Sequence, residues 1–513
     1  MSAELAALRE RAAELADLRA IGALLFWDQN TVMPPGGAAP RADQLATLER
    51  TIHGRLGDPA LAALLDSAEL WAAGEDPDSD EVRLVRWLRR DHEKAVRVPV
   101  ELAAEMSRAA ALGQHAWLEA RQAGDFEVFR PALERHLELR RRYVACFAGD
   151  RRYAHPYDVL LDDFEPGLTV AELEPLFGAL REGLVPLVEA ATGAEEDVLA
   201  GAFPVSAQRA AVGEVLAALG FERERWRLDE AVHPFAQGVA PTDVRITTRW
   251  DERDFGMALY SALHEFGHGL YEAQLDPRLY RTTLGEPVGL GVHESQSRLW
   301  ENVVGRSRAF TSWLLPILRR HLEGFDGLDA AGFFRSVNLV CPSPIRIEAD
   351  ETTYNLHVVL RFELELALLE DRLAVAELPA AWDEGMERLL GVTVESALEG
   401  ILQDIHWGAG MLGYFPTYTL GNLMAAQLWD AIVAELPAIE EEIARGEFGG
   451  LRGWLREHVH RHGRKYAPRE LLERATGQEL ATEPFLRYLE GRLREAGVLA
   501  DRTGVRGSRP APT

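Results

Sequence analysis

Cysteine is almost absent. Cys146 and Cys341 are the two in 513 residues and lie far apart, so a disulfide framework is excluded as the source of stability. A chain of this length buries a large core without staples. Long apolar runs are also missing: no stretch approaches the roughly 18 residues that a bilayer span requires. The opening MSAELAALRERAAEL has neither the charged-then-apolar pattern nor the small-residue cleavage site of a secretory signal, so the expected location is the cytoplasm. Positive charge is in short supply too. With 55 Lys+Arg against 82 Asp+Glu, the formal net charge is −27, which repels phosphate backbones and anionic lipid and excludes nucleic acid and membranes as expected partners.

What the chain has in abundance is helix pattern. Apolar residues recur at three- and four-residue intervals, as in Leu5-Leu8-Ala12-Leu15 and Leu102-Met106-Ala110. Breaks are local, at Met33 to Gly37, Glu75 to Asp80, Phe164 to Gly167 and Pro342-Ser343-Pro344. One strand is expected over Val244 to Trp250, where β-branched residues follow Pro241-Thr242-Asp243, with Trp226 to Val232 as its partner. The expected fold class is mainly α, with a small β-sheet inserted in a helical body. The polar segment 501–513 has no periodic apolar face and is expected to be a disordered tail.

The segment Ser261 to Leu270 contains HExxH. On a helix, residues four apart share a face, so His264 and His268 can reach one Zn²⁺ at about 2.0–2.1 Å. Glu265 sits about 100° round the helix, where a base for an attacking water belongs. Apolar Ala258, Leu259, Ala262, Leu263 and Phe266 suit a buried helix, and Gly267 and Gly269 permit close approach by another element. A catalytic zinc needs a third protein ligand and an open position. The metzincin extension is excluded, because Tyr271 and Gln274 stand where it needs Gly and His. Glu272 lies a further turn on, past the metal, so a second helix is the easier source. Glu294, in the helix-compatible run His293 to Asn302, is the expected third ligand, although an acidic residue near a helix start also simply suits the macrodipole. Arg298, four residues on, can pair with Glu294 or support a neighbouring carboxylate.

Several segments in order resemble a known family. Asp243-Val244-Arg245-Ile246-Thr247 matches DxRxT, His264 to His268 HExxH, and His293-Glu294-Ser295-Gln296 HES/GQ. Ile345 to Asp350 matches IRxxAD and Gly400 to Trp407 matches GxxQDxHW, while Trp27 to Pro34 and Gly413 to Tyr418 also look like family segments. The sequence resembles the zinc metallocarboxypeptidases of the carboxypeptidase Taq (thermostable carboxypeptidase) type over essentially the whole chain except the tail. The resemblance implies a neurolysin- and angiotensin-converting-enzyme-like gluzincin architecture with a deep active-site groove. It also implies release of single amino acids from peptides with a free C-terminus, with broad specificity and poor cleavage next to proline. Zn²⁺ is the implied cofactor, Co²⁺ a possible substitute, and a homodimer the implied assembly.

Under this resemblance Glu265 is general base and then general acid. His406 is the first candidate to stabilise the carbonyl oxygen and Tyr418 or Tyr414 the second, with a buried structural tyrosine the plainer alternative. Arg346 is the expected anchor for the terminal carboxylate, against a structural ion pair with Glu348 or Asp350. Arg245 either binds substrate backbone or braces the wall. Asp350 and Asp404 are candidates to orient ligand imidazoles. Two competing readings keep part of this site: a zinc endopeptidase, which needs no carboxylate anchor, and a noncatalytic helical peptide-binding module with a structural metal. Because residues from 264 to 418 must converge on one groove, 1–500 is expected to form one catalytic domain.

Overall fold

The computed structural model describes residues 3–191, 199 and 201–500. The segment 501–513, expected as a tail, lies outside them. The first helix, Ala3–Thr31, buries the stripe read from its sequence: Leu5, Leu8, Ala12 and Leu15 are all inside. Its far end behaves differently. Ile21, Leu24 and Phe26 stay exposed, while Trp27 is buried between the guanidinium groups of Arg245 and Arg227, 4.3 and 4.8 Å from its ring.

Helix starts are set by short polar caps. Ser79, Asp125, Asp254 and Asp350 each accept a backbone N–H at the head of the helices Asp80–Arg97, Phe126–Ala145, Phe255–Ala273 and Glu351–Leu369. Each such cap is worth about 1 kcal/mol. Both cysteines are free, and no helix among the described residues is long and apolar enough to cross a membrane.

The sheet has three strands, β1 (Trp226–Glu230), β2 (Ala236–Ala240) and β3 (Asp243–Thr248), in the order β1-β3-β2. β3 pairs parallel with β1, placing Arg227 opposite Arg245, and antiparallel with β2. The expected pair of strands is present, ending earlier than Trp250 and Val232. β2 was not foreseen, because Ala-Gln-Gly-Val-Ala has neither β-branched enrichment nor a clean alternation, and all five of its residues are half-buried. The sheet backs the HExxH helix (Phe255–Ala273). Val244 and Ile246 are fully buried, Thr248 Oγ1 donates to the Ala258 carbonyl at 2.9 Å, and Gly269 lets Trp226 and Val244 approach so closely that a Cβ would lie 2.5 Å from the indole.

Candidate active site

A short helix, Leu290–Arg298, carries Glu294 to the two histidines. Glycines on both flanks let it in. A Cβ on Gly267 of the HExxH helix would lie 2.4 Å from the Gln296 carbonyl oxygen, and one on Gly421 of the helix Pro416–Glu435 would lie 2.4 Å from Glu294 Cγ. Beneath its first turn the buried Glu165 accepts the Gly291 N–H at 2.8 Å, and burial pushes the Glu165 carboxyl up to about 8. At Leu299 the chain passes into a π-helical turn, Leu299–Val304, an irregularity frequent at functional sites.

Glu294 Oε2 stands 3.3 Å from His268 Nε2 and 3.7 Å from His264 Nε2. One donor atom from each of these residues lies within 4.8 Å of the others, a convergence found nowhere else among the described residues. Glu301 Oε2 is 2.7 Å from His264 Nδ1, which holds the imidazole so that Nε2 faces Glu294. Arg298 ties both carboxylates together, its Nε donating to Glu294 Oε1 at 2.6 Å and its Nη1 to Glu301 Oε2 at 3.2 Å. His268 instead stacks on His293, with ring centroids 4.4 Å apart, and His293 Nε2 meets Glu272 at 3.3 Å.

The electrostatics follow from this packing. Burial pushes the Glu294 carboxyl up, but Arg298 and the two imidazoles outweigh it and hold the group well below the usual carboxylate range. Burial pulls His264 down, yet Glu294 and Glu301 more than offset it and hold it at about 9, whereas burial leaves His268 neutral at about 3. Burial raises the Glu265 carboxyl to about 7. Two imidazole nitrogens and one carboxylate, with one ring oriented by a second carboxylate, form a donor set that fits a divalent cation such as zinc.

A second cluster adjoins the first through Tyr354, whose ring lies 4.3 Å from the Arg298 guanidinium and whose hydroxyl accepts from Arg346 Nη1 at 2.9 Å. Arg346 does not pair with Glu348 or Asp350. Its Nη2 and Nε donate to Asp404 Oδ1 at 2.7 and 3.2 Å. Asp350 is an N-cap, accepting from Thr352, Thr353 and Cys341, and orients no imidazole. Asp404 serves arginines first: Arg361 Nε donates to its other oxygen at 2.7 Å, while His406 Nδ1 is 3.9 Å away. His406 Nε2 lies 3.1 Å from the Tyr418 hydroxyl, and Tyr414 packs against both rings at 5.2 and 5.4 Å. Burial lowers His406 to about 3 and raises Tyr414 to about 12, so both are uncharged at neutral pH. Glu294 is close enough to push Tyr414 and Tyr418 up further, which links the two clusters.

The loop bearing His406 is pinned by Glu365, which accepts from Tyr157 Oη at 2.5 Å, Trp407 Nε1 at 2.7 Å and the Gly413 N–H at 2.8 Å. The expected residues therefore gather as one site, with Arg245 in a separate grouping. Its guanidinium is held by both oxygens of Asp243 at 2.9 Å and lies on Trp27. Glu301, Tyr354, Arg361 and Glu365 were not foreseen. Three of them had a signal: Glu301 follows Glu294 by seven residues, and Arg361 and Glu365 extend from His357 a polar stripe at four-residue spacing in a largely apolar stretch of helix.

A helical body presenting an HExxH-plus-glutamate triad beside an arginine cluster defines a metallopeptidase. The family model described as Carboxypeptidase Taq (M32) metallopeptidase matches residues 7–493, and the chain belongs to that family. It is 43% identical over 487 residues to thermostable carboxypeptidase 1 of Thermus thermophilus, covering 93% of this chain and 96% of that one. To carboxypeptidase 1 of Bacillus subtilis it is 36% identical over 475 residues, covering 92% and 94%. The crystal structure of the M32 carboxypeptidase from Deinococcus radiodurans R1 superposes with a TM-score of 0.92 at 42% identity, covering 97% of this chain and all of that one. The mainly α gluzincin-type architecture is thus the one found, and the protein is a metallocarboxypeptidase acting on peptides.

Proposed function

We propose that the enzyme uses zinc, held by His264, His268 and Glu294 and replaceable by cobalt, to release single amino acids from peptide C-termini with broad side-chain tolerance and poor cleavage next to proline. The observation that carries this reading is the convergence of two imidazole Nε2 atoms and Glu294 Oε2 beside an arginine-rich cluster suited to a carboxylate. When bound, the metal supplies Lewis-acid polarisation of the scissile carbonyl and acidifies a water to a pKa of about 7.

Glu265 takes the proton of the attacking water on its carboxylate and delivers it to the leaving amine nitrogen. Its raised pKa suits both halves of that exchange. Tyr418 and His406, whose hydroxyl and Nε2 are 3.1 Å apart, provide donors to the carbonyl oxygen as charge develops there. Tyr414 packs beside them against the substrate. Arg346 binds the terminal carboxylate with the guanidinium N–H groups that Asp404 and Tyr354 leave free, and Arg245 braces the wall on which the peptide backbone lies. The enzyme works as a cytoplasmic homodimer, apart from nucleic acid and membranes, with 1–500 as one catalytic unit.

Arg346→Ala is expected to raise KM and to lower kcat/KM by about 10- to 100-fold for peptides with a free carboxylate, the scale of one charge-assisted contact. The corresponding C-terminal amides should be unaffected. An equal loss on both substrates would move the carboxylate site elsewhere, and purified enzyme without stoichiometric zinc or cobalt would overturn the metal assignment.

A further inference from the structure

Arg361 lies in the middle of the helix Glu351–Leu369 and is completely buried. A buried guanidinium is costly unless paired and hydrogen-bonded. Its Nε reaches Asp404 Oδ2 at 2.7 Å, its Nη1 donates to the His357 carbonyl at 2.8 Å, and its face lies 4.4 Å from the Trp382 ring. Asp404, however, is already shared: its Oδ1 takes two N–H groups of Arg346. Two guanidinium groups therefore meet one carboxylate.

The neighbours do not restore balance. His357 and His406 are neutral, both lowered by burial, and burial keeps the proton on Tyr418 beside Arg346. Glu365, one turn along from Arg361, is turned to Tyr157, Trp407 and Gly413 instead. The cluster holds one positive charge in excess in a region shielded from water. An Arg346–Asp404 pair alone would be neutral and would attract a carboxylate weakly.

We propose that Arg361 is a positioning residue for substrate recognition: by engaging the second oxygen of Asp404, it leaves the buried Arg346–Asp404–Arg361 cluster with the unit positive charge that holds the terminal carboxylate of a peptide. Arg361 touches no substrate; it acts through Asp404 and Arg346. The inference rests on the reading of Arg346 as the carboxylate anchor.

The test compares kinetics on an N-blocked dipeptide with a free carboxylate and on its C-terminal amide. Arg361→Met, which removes the excess charge at similar volume, is expected to raise KM for the free acid about tenfold or more, with kcat within about threefold and the amide unchanged. Arg361→Met combined with Asp404→Asn restores one net positive charge and should recover most of that KM. Arg361→Lys, which keeps the charge, should hold KM within about threefold of the parent and keeps the test open should the methionine variant fail to fold. A lysine variant with KM raised as far as in Arg346→Ala would overturn the proposal. So would an unchanged KM in Arg361→Met beside a selective loss in Arg346→Ala, and that result leaves the Arg346 reading standing. If Arg346→Ala itself impairs acid and amide equally, the anchor reading fails first. A loss shared by acid and amide in Arg361→Met, unrelieved in the double variant, would mark Arg361 as packing and overturn the inference.

Discussion

The two halves of the site are built alike but with opposite ratios of carboxyl to guanidinium groups. Around the triad, three carboxyls, Glu265, Glu294 and Glu301, face one guanidinium, Arg298. A few residues away, two guanidinium groups, Arg346 and Arg361, share one carboxylate, Asp404. Tyr354 stands between, its ring under Arg298 and its hydroxyl on Arg346. An excess of carboxyl groups beside imidazole nitrogens suits a divalent cation and an excess of guanidinium groups suits the end of a peptide. The difference teaches that the balance of carboxyl and guanidinium groups, more than any single residue, distinguishes the half proposed to react from the half proposed to grip.

The comparison can be broken first on the reacting side. Glu265→Gln should lower kcat by about 10²- to 10⁴-fold with metal content unchanged, read by peptide kinetics alongside metal analysis of the same sample. A smaller loss would deny Glu265 the proton transfer. Glu301→Gln removes the carboxylate that orients His264 and should weaken metal affinity by about 10- to 100-fold, measured by chelator competition. Arg346 pairs with neither Glu294 nor Glu301, so Arg346→Ala should leave that affinity unchanged.

The sequence made one half more readable than the other, for a physical reason. Helical spacing brings His264, Glu265 and His268 together locally, and Arg298 does pair with Glu294 as its four-residue offset suggests. Gly267 does admit the neighbouring helix, which is packing read from residue size. The partner of Arg346 was not readable, because Asp404 is 58 residues away and only the folded loop, held by Glu365 and by Gln403 on the Arg346 N–H, brings it in. Asp350 shows the opposite case: a local role as helix cap takes its oxygens. β2 escaped because its pairing, not its composition, makes it a strand.

Smaller effects sharpen the account. Gly421→Ala puts a Cβ against Glu294 and should cost about 1–3 kcal/mol of stability by overpacking, read by thermal unfolding, while displacing the proposed metal ligand without altering any charge. Glu165 gives the smallest signal. Its folded-state pKa of about 8 lies above the ordinary 4.5, so the folded protein keeps a proton that the unfolded chain releases. Its contribution to stability is full below about 4.5 and is lost as pH rises through about 8. Glu165→Gln should therefore reduce the fall in Tm between pH 5.5 and 8.5 by ~2 °C, and an unchanged pH slope would mean that Glu165 is already ionised.

The most direct test of the central claim, that a cation-seeking cluster and a carboxylate-seeking cluster act on one peptide end, is mass spectrometry of a peptide digested by the metal-loaded enzyme, free and C-terminally amidated side by side. The account predicts a ladder of single-residue losses from the free C-terminus and far slower loss from the amide. Equal degradation of both, or internal fragments without a ladder, would contradict it.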